Sequence, residues 1–170
     1  MAVTTVTYDP QIVHYGGARE DRETYTSNDT IAAGDLIRIT LSGTIKLAGK
    51  DSDVGGPHGI ALNAHAAATD IACPVVLFAP DTIIRVATSD SKTPADYEKG
   101  MLAALDSNSV TGKWAIGDTA TKPVCIVTGY TSDGSPWDDA TGSYDFADAT
   151  ENGPIDVRIL TSQLDKVTAE

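Results

Sequence analysis

Aromatic side chains are scarce in this chain: Phe, Trp and Tyr together make 6% of its 170 residues. A core assembled largely without them has to come from Val, Ile, Leu and Ala, and β-branched side chains pack well on a pleated sheet. Cationic residues are also few, 12 Lys and Arg against 24 Asp and Glu, for a formal net charge of −12. That balance argues against nucleic acid as a partner, because phosphate binding needs clustered Lys and Arg. It argues equally against an anionic membrane. A strongly acidic surface favours solubility and avoids non-specific DNA contacts. Cysteine occurs twice, as Cys73 and Cys125, too far apart for a CxxC redox or metal motif. Both lie in apolar runs and read as reduced, buried thiols that pack as small hydrophobes, with a disulfide as the alternative. No segment is long and apolar enough for a transmembrane span. Met1 to Tyr8 lacks the basic start and apolar stretch of a signal peptide, so the expectation is folding in a cytoplasm without signal-directed export.

What is present is a succession of short, two-faced runs in a chain long enough for one domain. After the turn signal Ala33-Gly34-Asp35, residues 36–41 alternate, with Ile37, Ile39 and Leu41 on one face and Arg38 and Thr40 on the other. Period-two alternation marks a half-buried strand. Ser42-Gly43 then links it to Thr44–Ala48, which turns Ile45 and Leu47 inward, and the pair reads as a β-hairpin. Further strands are expected at Gly59–Leu62, from Val75 to Phe78 after Pro74, at Thr82–Ala87, at Met101–Leu105, at Val124–Thr128 and at Ile155–Leu160. The one clear helical signal is Thr93–Gly100, with Thr93 as cap, Pro94 at the first position, Asp96 in the first turn and Gly100 as the stop.

Residues 1–30 read as an extended N-terminal arm, residues 31–160 as a β-domain and residues 161–170 as a polar tail. Within the domain, Thr131–Pro154 is a long acidic loop holding Asp133, Asp138, Asp139, Asp145, Asp148 and Glu151 and no Lys or Arg. It also carries Trp137, Tyr144 and Phe146, and aromatics in a loop are good contact anchors. The fold class is therefore all-β: a small β-barrel or β-sandwich of short antiparallel strands with one short helix.

Catalytic signals are missing. The chain holds neither a Gly-x-Ser-x-Gly elbow nor a phosphate-binding Gly loop ending in Lys-Ser or Lys-Thr. His14, His58 and His65 each stand alone among loop residues and read as solvated or interface histidines, because a metal site wants ligands at short spacing. Asp51-Ser52-Asp53 before Gly55 resembles the start of a calcium loop, but the later ligands and the closing Glu are missing; Asp138-Asp139 is similarly ambiguous. No enzyme, no cofactor and no metal is expected.

In the order and spacing of its elements, the chain resembles a family of tailed-bacteriophage capsid decoration, or cement, proteins. The matching elements are Ala33-Gly34-Asp35-Leu36-Ile37, Thr44–Ala48, Gly59-Ile60-Ala61, Val75–Val86, Gly100–Gly112 and Ile155–Leu160. They cover roughly residues 30 to 160, and order carries the resemblance rather than any single motif. Departures are a longer stretch between Ala48 and Gly59, the Thr131–Pro154 insert, and Thr69-Asp70 where the family often has Gly after Ala68. The resemblance implies a β-barrel or sandwich, often trimeric, bound to the major capsid protein on the outer surface of the virion, made in the host bacterial cytoplasm and without catalysis. Shell or subunit contacts are expected from the arm, through Val3, Val6, Tyr8, Ile12 and Tyr15, and from the acidic loop through Trp137, Tyr144 and Phe146. A carbohydrate- or receptor-binding β-module with Trp114 and Trp137 as stacking platforms is the alternative.

Overall fold

A computed structural model describes residues 9–21, 25–48, 55–67, 71–88, 92–105, 115–117, 123–128 and 153–168. Among these, eleven strands form two sheets. In chain order they are β1 (Gln11–His14), β2 (Arg19–Asp21), β3 (Leu36–Ile39), β4 (Ile45–Leu47), β5 (Gly59–Ala61), β6 (Val75–Leu77), β7 (Ile83–Thr88), β8 (Leu102–Leu105), β9 (Ala115–Gly117), β10 (Cys125–Val127) and β11 (Pro154–Ile159). The all-β expectation holds.

The first sheet has the order β1-β7-β11-β10-β8-β9, and β9 also pairs with β7, in parallel, at Ala87 and Thr88. The circuit β7-β11-β10-β8-β9 therefore closes into a five-stranded barrel. The six-residue β7 makes this possible. One of its edges carries β11 from Ile83 to Ala87, and the other is shared between β1 near its start and β9 at its end. The alternation of β7 and β11 sends Ile84, Val86, Ile155, Val157 and Ile159 into the barrel. There they meet Ala103, Ile116, Cys125 and Val127, all in one buried cluster. Aliphatic side chains of this size suit the narrow interior of a small barrel.

The second sheet, β2-β6-β5-β3-β4, is antiparallel throughout. It has two dry faces. Leu36 and Ala48 join the barrel cluster, while Ile37, Ile45, Ala61 and Val75 join Ile31 and Cys73 in a second one. Leu36 and Ile37 are adjacent and both fully buried, so the start of β3 is covered on each side. Gly59 lets β5 lie close to its neighbour, because a Cβ there would stand 2.3 Å from the Val76 carbonyl oxygen.

Several local expectations are corrected. Ile37 and Ile39 do share a face, but Leu41 leaves the strand and is 68% exposed. The link is a three-residue loop in which the Thr40 amide donates to the Thr44 carbonyl at 2.9 Å and Gly43 takes a φ of +78°. This is the hairpin geometry that needs a left-handed residue at the third loop position. The predicted helix at Thr93–Gly100 shrinks to a 3-10 turn at Pro94–Asp96, in which the Thr93 amide donates to the Asp96 carboxylate at 2.7 Å. Tyr97 then turns extended, and this drives its ring into the barrel cluster, where its hydroxyl donates to the Ile116 carbonyl. The one α-helix among the described residues, α1 (Thr161–Leu164), stands instead in the expected polar tail. Pro154, expected in the acidic insert, opens β11, the strand position where a missing N–H is tolerated.

The expected arm meets a different arrangement from residue 11 onward. β1 pairs with β7 in the barrel sheet and β2 with β6 in the other, so this segment ties the two sheets together. Its turn is seated tightly. The Thr82 hydroxyl donates to the Tyr15 carbonyl at 2.8 Å, and Gly16, with φ +52°, lies where a Cβ would come within 2.2 Å of the Asp81 carbonyl oxygen.

Candidate functional site

Of the eight predicted contact residues, Ile12 and Tyr15 are described; Val3, Val6, Tyr8, Trp137, Tyr144 and Phe146 lie outside the described residues, as does Trp114. Ile12 pairs with Ile84 and packs against the barrel cluster, so it serves the chain's own core. Tyr15, in the β1–β2 turn, is 59% exposed. It is one of four exposed large hydrophobics among the described residues, with Leu41 in the β3–β4 loop, Ile71 ahead of β6 and Leu102 on β8.

Two of the histidines depart from their predicted solvated or interface setting. His58 is buried against the start of β5, and its Nδ1 accepts the Ile39 amide at 2.9 Å while Nε2 donates to the Lys166 carbonyl at 3.1 Å. That pairing fixes a neutral Nε2–H tautomer. Burial pushes the His58 pKa down; the Lys166 hydrogen bond opposes this, and the nearby Arg38 charge adds to it. The ring therefore fastens the segment after α1 to the second sheet. His65 is also buried, bridged to Ile31 through paired backbone bonds, with its Nε2 3.3 Å from the Ser27 carbonyl. His14, by contrast, is exposed on β1. No group of three His, Cys, Asp or Glu side chains able to hold a metal occurs among the described residues. Asp51, Asp53, Asp138 and Asp139 lie outside them. Both cysteines are free and buried, and burial pushes the Cys125 thiol up to about 12, which keeps it protonated and unreactive. No helix among the described residues is long and apolar enough to cross a membrane.

The barrel's outer face holds the chemistry that the sequence did not reveal. On it, Arg85 and Asp156 stand opposite each other in register and form a two-pronged pair, Nε to Oδ1 at 2.7 Å and Nη2 to Oδ2 at 2.9 Å. The Asp156 side chain is 0% exposed and that of Arg85 15%. Burial pushes the Asp156 carboxyl up, and the Arg85 hydrogen bond and charge pull it part of the way back. One residue pair along the same face, register aligns His14, Ile83, Arg158, Ile126 and Leu102 in a row across β1, β7, β11, β10 and β8. An open groove of about 400 Å³ follows this row from His14 to Ile126, and Asp81, Lys99, Gly100, Val127 and Thr128 complete its lining.

Comparison with models of known protein families, with curated proteins and with solved structures finds no match.

Proposed function

We propose that the chain is a decoration protein of a tailed-phage head, one that adheres to the outer surface of the shell and stabilises it. The observation that carries the reading is the order of elements. The segments on which the resemblance rests coincide with the turn before β3 and the start of that strand, with β4, β5, the β6–β7 pair, β8 and β11; they supply four of the five strands of the second sheet and three of the six of the first. The architecture suits adhesion: a closed barrel braced by a sheet with two dry faces presents loop tips and the Tyr15 turn from a rigid body. Each bound subunit would span junctions between capsid proteins and bury surface there. An interface of about 1,600 Å² supports affinities from micromolar to picomolar. Binding to the assembled shell and not to its free subunits stabilises the shell by mass action.

The test is addition of purified chain to expanded shells that lack it, followed by sedimentation and heating. The expected result is saturable co-sedimentation in many copies per shell and a higher temperature of shell disruption. A chain that stays in the supernatant at micromolar concentration, or one that binds without raising that temperature, overturns the reading.

A further inference from the structure

We propose that the groove on the outer face of the barrel is a docking site for an extended acidic segment of a partner protein, one carrying an aliphatic or aromatic side chain between carboxylates. The proposal stands on the groove itself and goes beyond any place the chain has on a shell.

The first observation is the composition of the groove. Its floor is apolar, with Ile83 and Ile126 side by side across Arg158, and the exposed Leu102 continues the row. Its rim carries His14, Lys99 and Arg158 against the single carboxylate of Asp81. In a chain with twice as many acidic as basic residues, Lys99 and Arg158 against one carboxylate run against the overall charge. At physiological ionic strength the screening length is about 8 Å, so a ligand in the groove responds to these side chains more than to distant carboxylates.

The second observation is that Arg158 is held loosely. Its Nη1 lies 3.4 Å from Asp81 Oδ1, between side chains 44% and 75% exposed. Exposed pairs of this kind contribute little to stability, so an incoming carboxylate can replace Asp81 readily. A planar guanidinium beside an apolar floor can take a carboxylate with both prongs while a neighbouring side chain of the ligand covers Ile83 and Ile126.

The third observation is length. The four strands β1, β7, β11 and β10 that line the groove, at a spacing of about 4.8 Å, give it a length of roughly 14 Å. A compact anion would fill a fraction of it. An extended peptide rises about 3.3 Å per residue, so four or five residues match.

The experiment titrates the full chain, labelled with nitrogen-15, with the peptide acetyl-Asp-Asp-Phe-Asp-Asp-amide, and compares the Asn-Asn-Phe-Asn-Asn analogue and inorganic phosphate. Saturable amide shifts below ~1 mM peptide are expected at His14, Lys99, Gly100, Ile126, Thr128 and Arg158. The Asn analogue should bind at least about tenfold more weakly, as should the acidic peptide to a Lys99→Glu/Arg158→Glu variant whose remaining spectrum is unchanged. Should that variant not fold, Lys99→Gln and Arg158→Gln singly should each weaken binding a few-fold. Four outcomes overturn the proposal: no saturable shift, shifts centred elsewhere, equal binding of the Asn analogue, or phosphate binding as tightly as the peptide.

Discussion

Removing the buried pair on the barrel's outer face, one partner at a time and then together, gives the sharpest test of the packing described above. Arg85 and Asp156 share two short hydrogen bonds, and the carboxylate has no exposure while the guanidinium keeps some. Breaking a buried ion pair by deleting one partner costs about 3–5 kcal/mol, because the survivor is left charged and desolvated. The asymmetry of exposure ranks the two single changes. Arg85→Met strands a fully buried carboxylate and should fall near the upper end; Asp156→Leu leaves a guanidinium that can reach water and should fall near the lower end. In a chain of this length each kcal/mol moves the melting temperature by about 2–4 °C, so the single variants should melt roughly 6–20 °C lower. The double variant Arg85→Met/Asp156→Leu replaces the pair by apolar side chains and should lie close to the parent or above it, a coupling of about 6 kcal/mol or more. The sign with pH is also fixed. The Asp156 pKa is raised in the folded chain, so between the ordinary carboxylate value and the raised one the folded state holds more protons than the unfolded state. That contribution to stability is present at low pH and is lost as pH rises through the window. Without Arg85 the window widens, and the defect of Arg85→Met should shrink as pH falls towards the ordinary carboxylate range. Urea and thermal melts of the four chains at pH 7 and pH 4.5 decide the matter. Additive single and double variants, or an Arg85→Met defect that grows in acid, would refute the reasoning.

Four further outcomes are expected. Gly59→Ala should destabilise by about 3 kcal/mol, since the new Cβ would meet backbone and not a movable side chain; a urea midpoint within error of the parent would contradict the close approach of β5 and β6. His58 contributes stability that is full above pH 6.5 and lost as pH falls towards its depressed folded pKa, because protonation removes the acceptor of the Ile39 amide; His58→Gln should flatten the urea midpoint between pH 7 and pH 5. Neither Cys125 nor Cys73 should react with a thiol reagent at pH 8 until the chain is unfolded, with labelling followed by mass spectrometry. Deleting residues 2–21 should collapse the melting temperature, because the cut takes β1 and β2 from both sheets; a melt within a few degrees of the parent would contradict that bracing.

Local alternation was enough to place most of the strands. Val, Ile and Leu at every second position mark β3, β4 and β11 in the linear chain, and short β-prone apolar runs bounded by Pro, Asp and Gly mark β7 and β10, because both signals are local. The scarcity of aromatics and the acid excess likewise bounded the core's composition and the surface's charge before any folding was known. β1 and β2 were not legible. Gln11–His14 and Arg19–Asp21 are short edge segments with too little apolar pattern to mark a strand, and their extended form is imposed by pairing with β7 and β6. The Thr93 helix signal was correct for its cap and wrong for its length, since burying Tyr97 outweighed two turns of helix propensity.

The division follows from the range of the forces. The sequence by itself determined which residues alternate, where turns break them and that β-structure results. The tertiary structure alone decided that β9 returns to β7 and closes a barrel, that His58 and His65 go inside, and that Arg85 meets Asp156 while His14, Lys99 and Arg158 gather round one groove. Arg85 and Asp156 are 71 residues apart in the chain, and His14, Lys99 and Arg158 are 59 to 144 apart; only the tertiary fold brings such distant side chains within hydrogen-bonding or Coulombic reach.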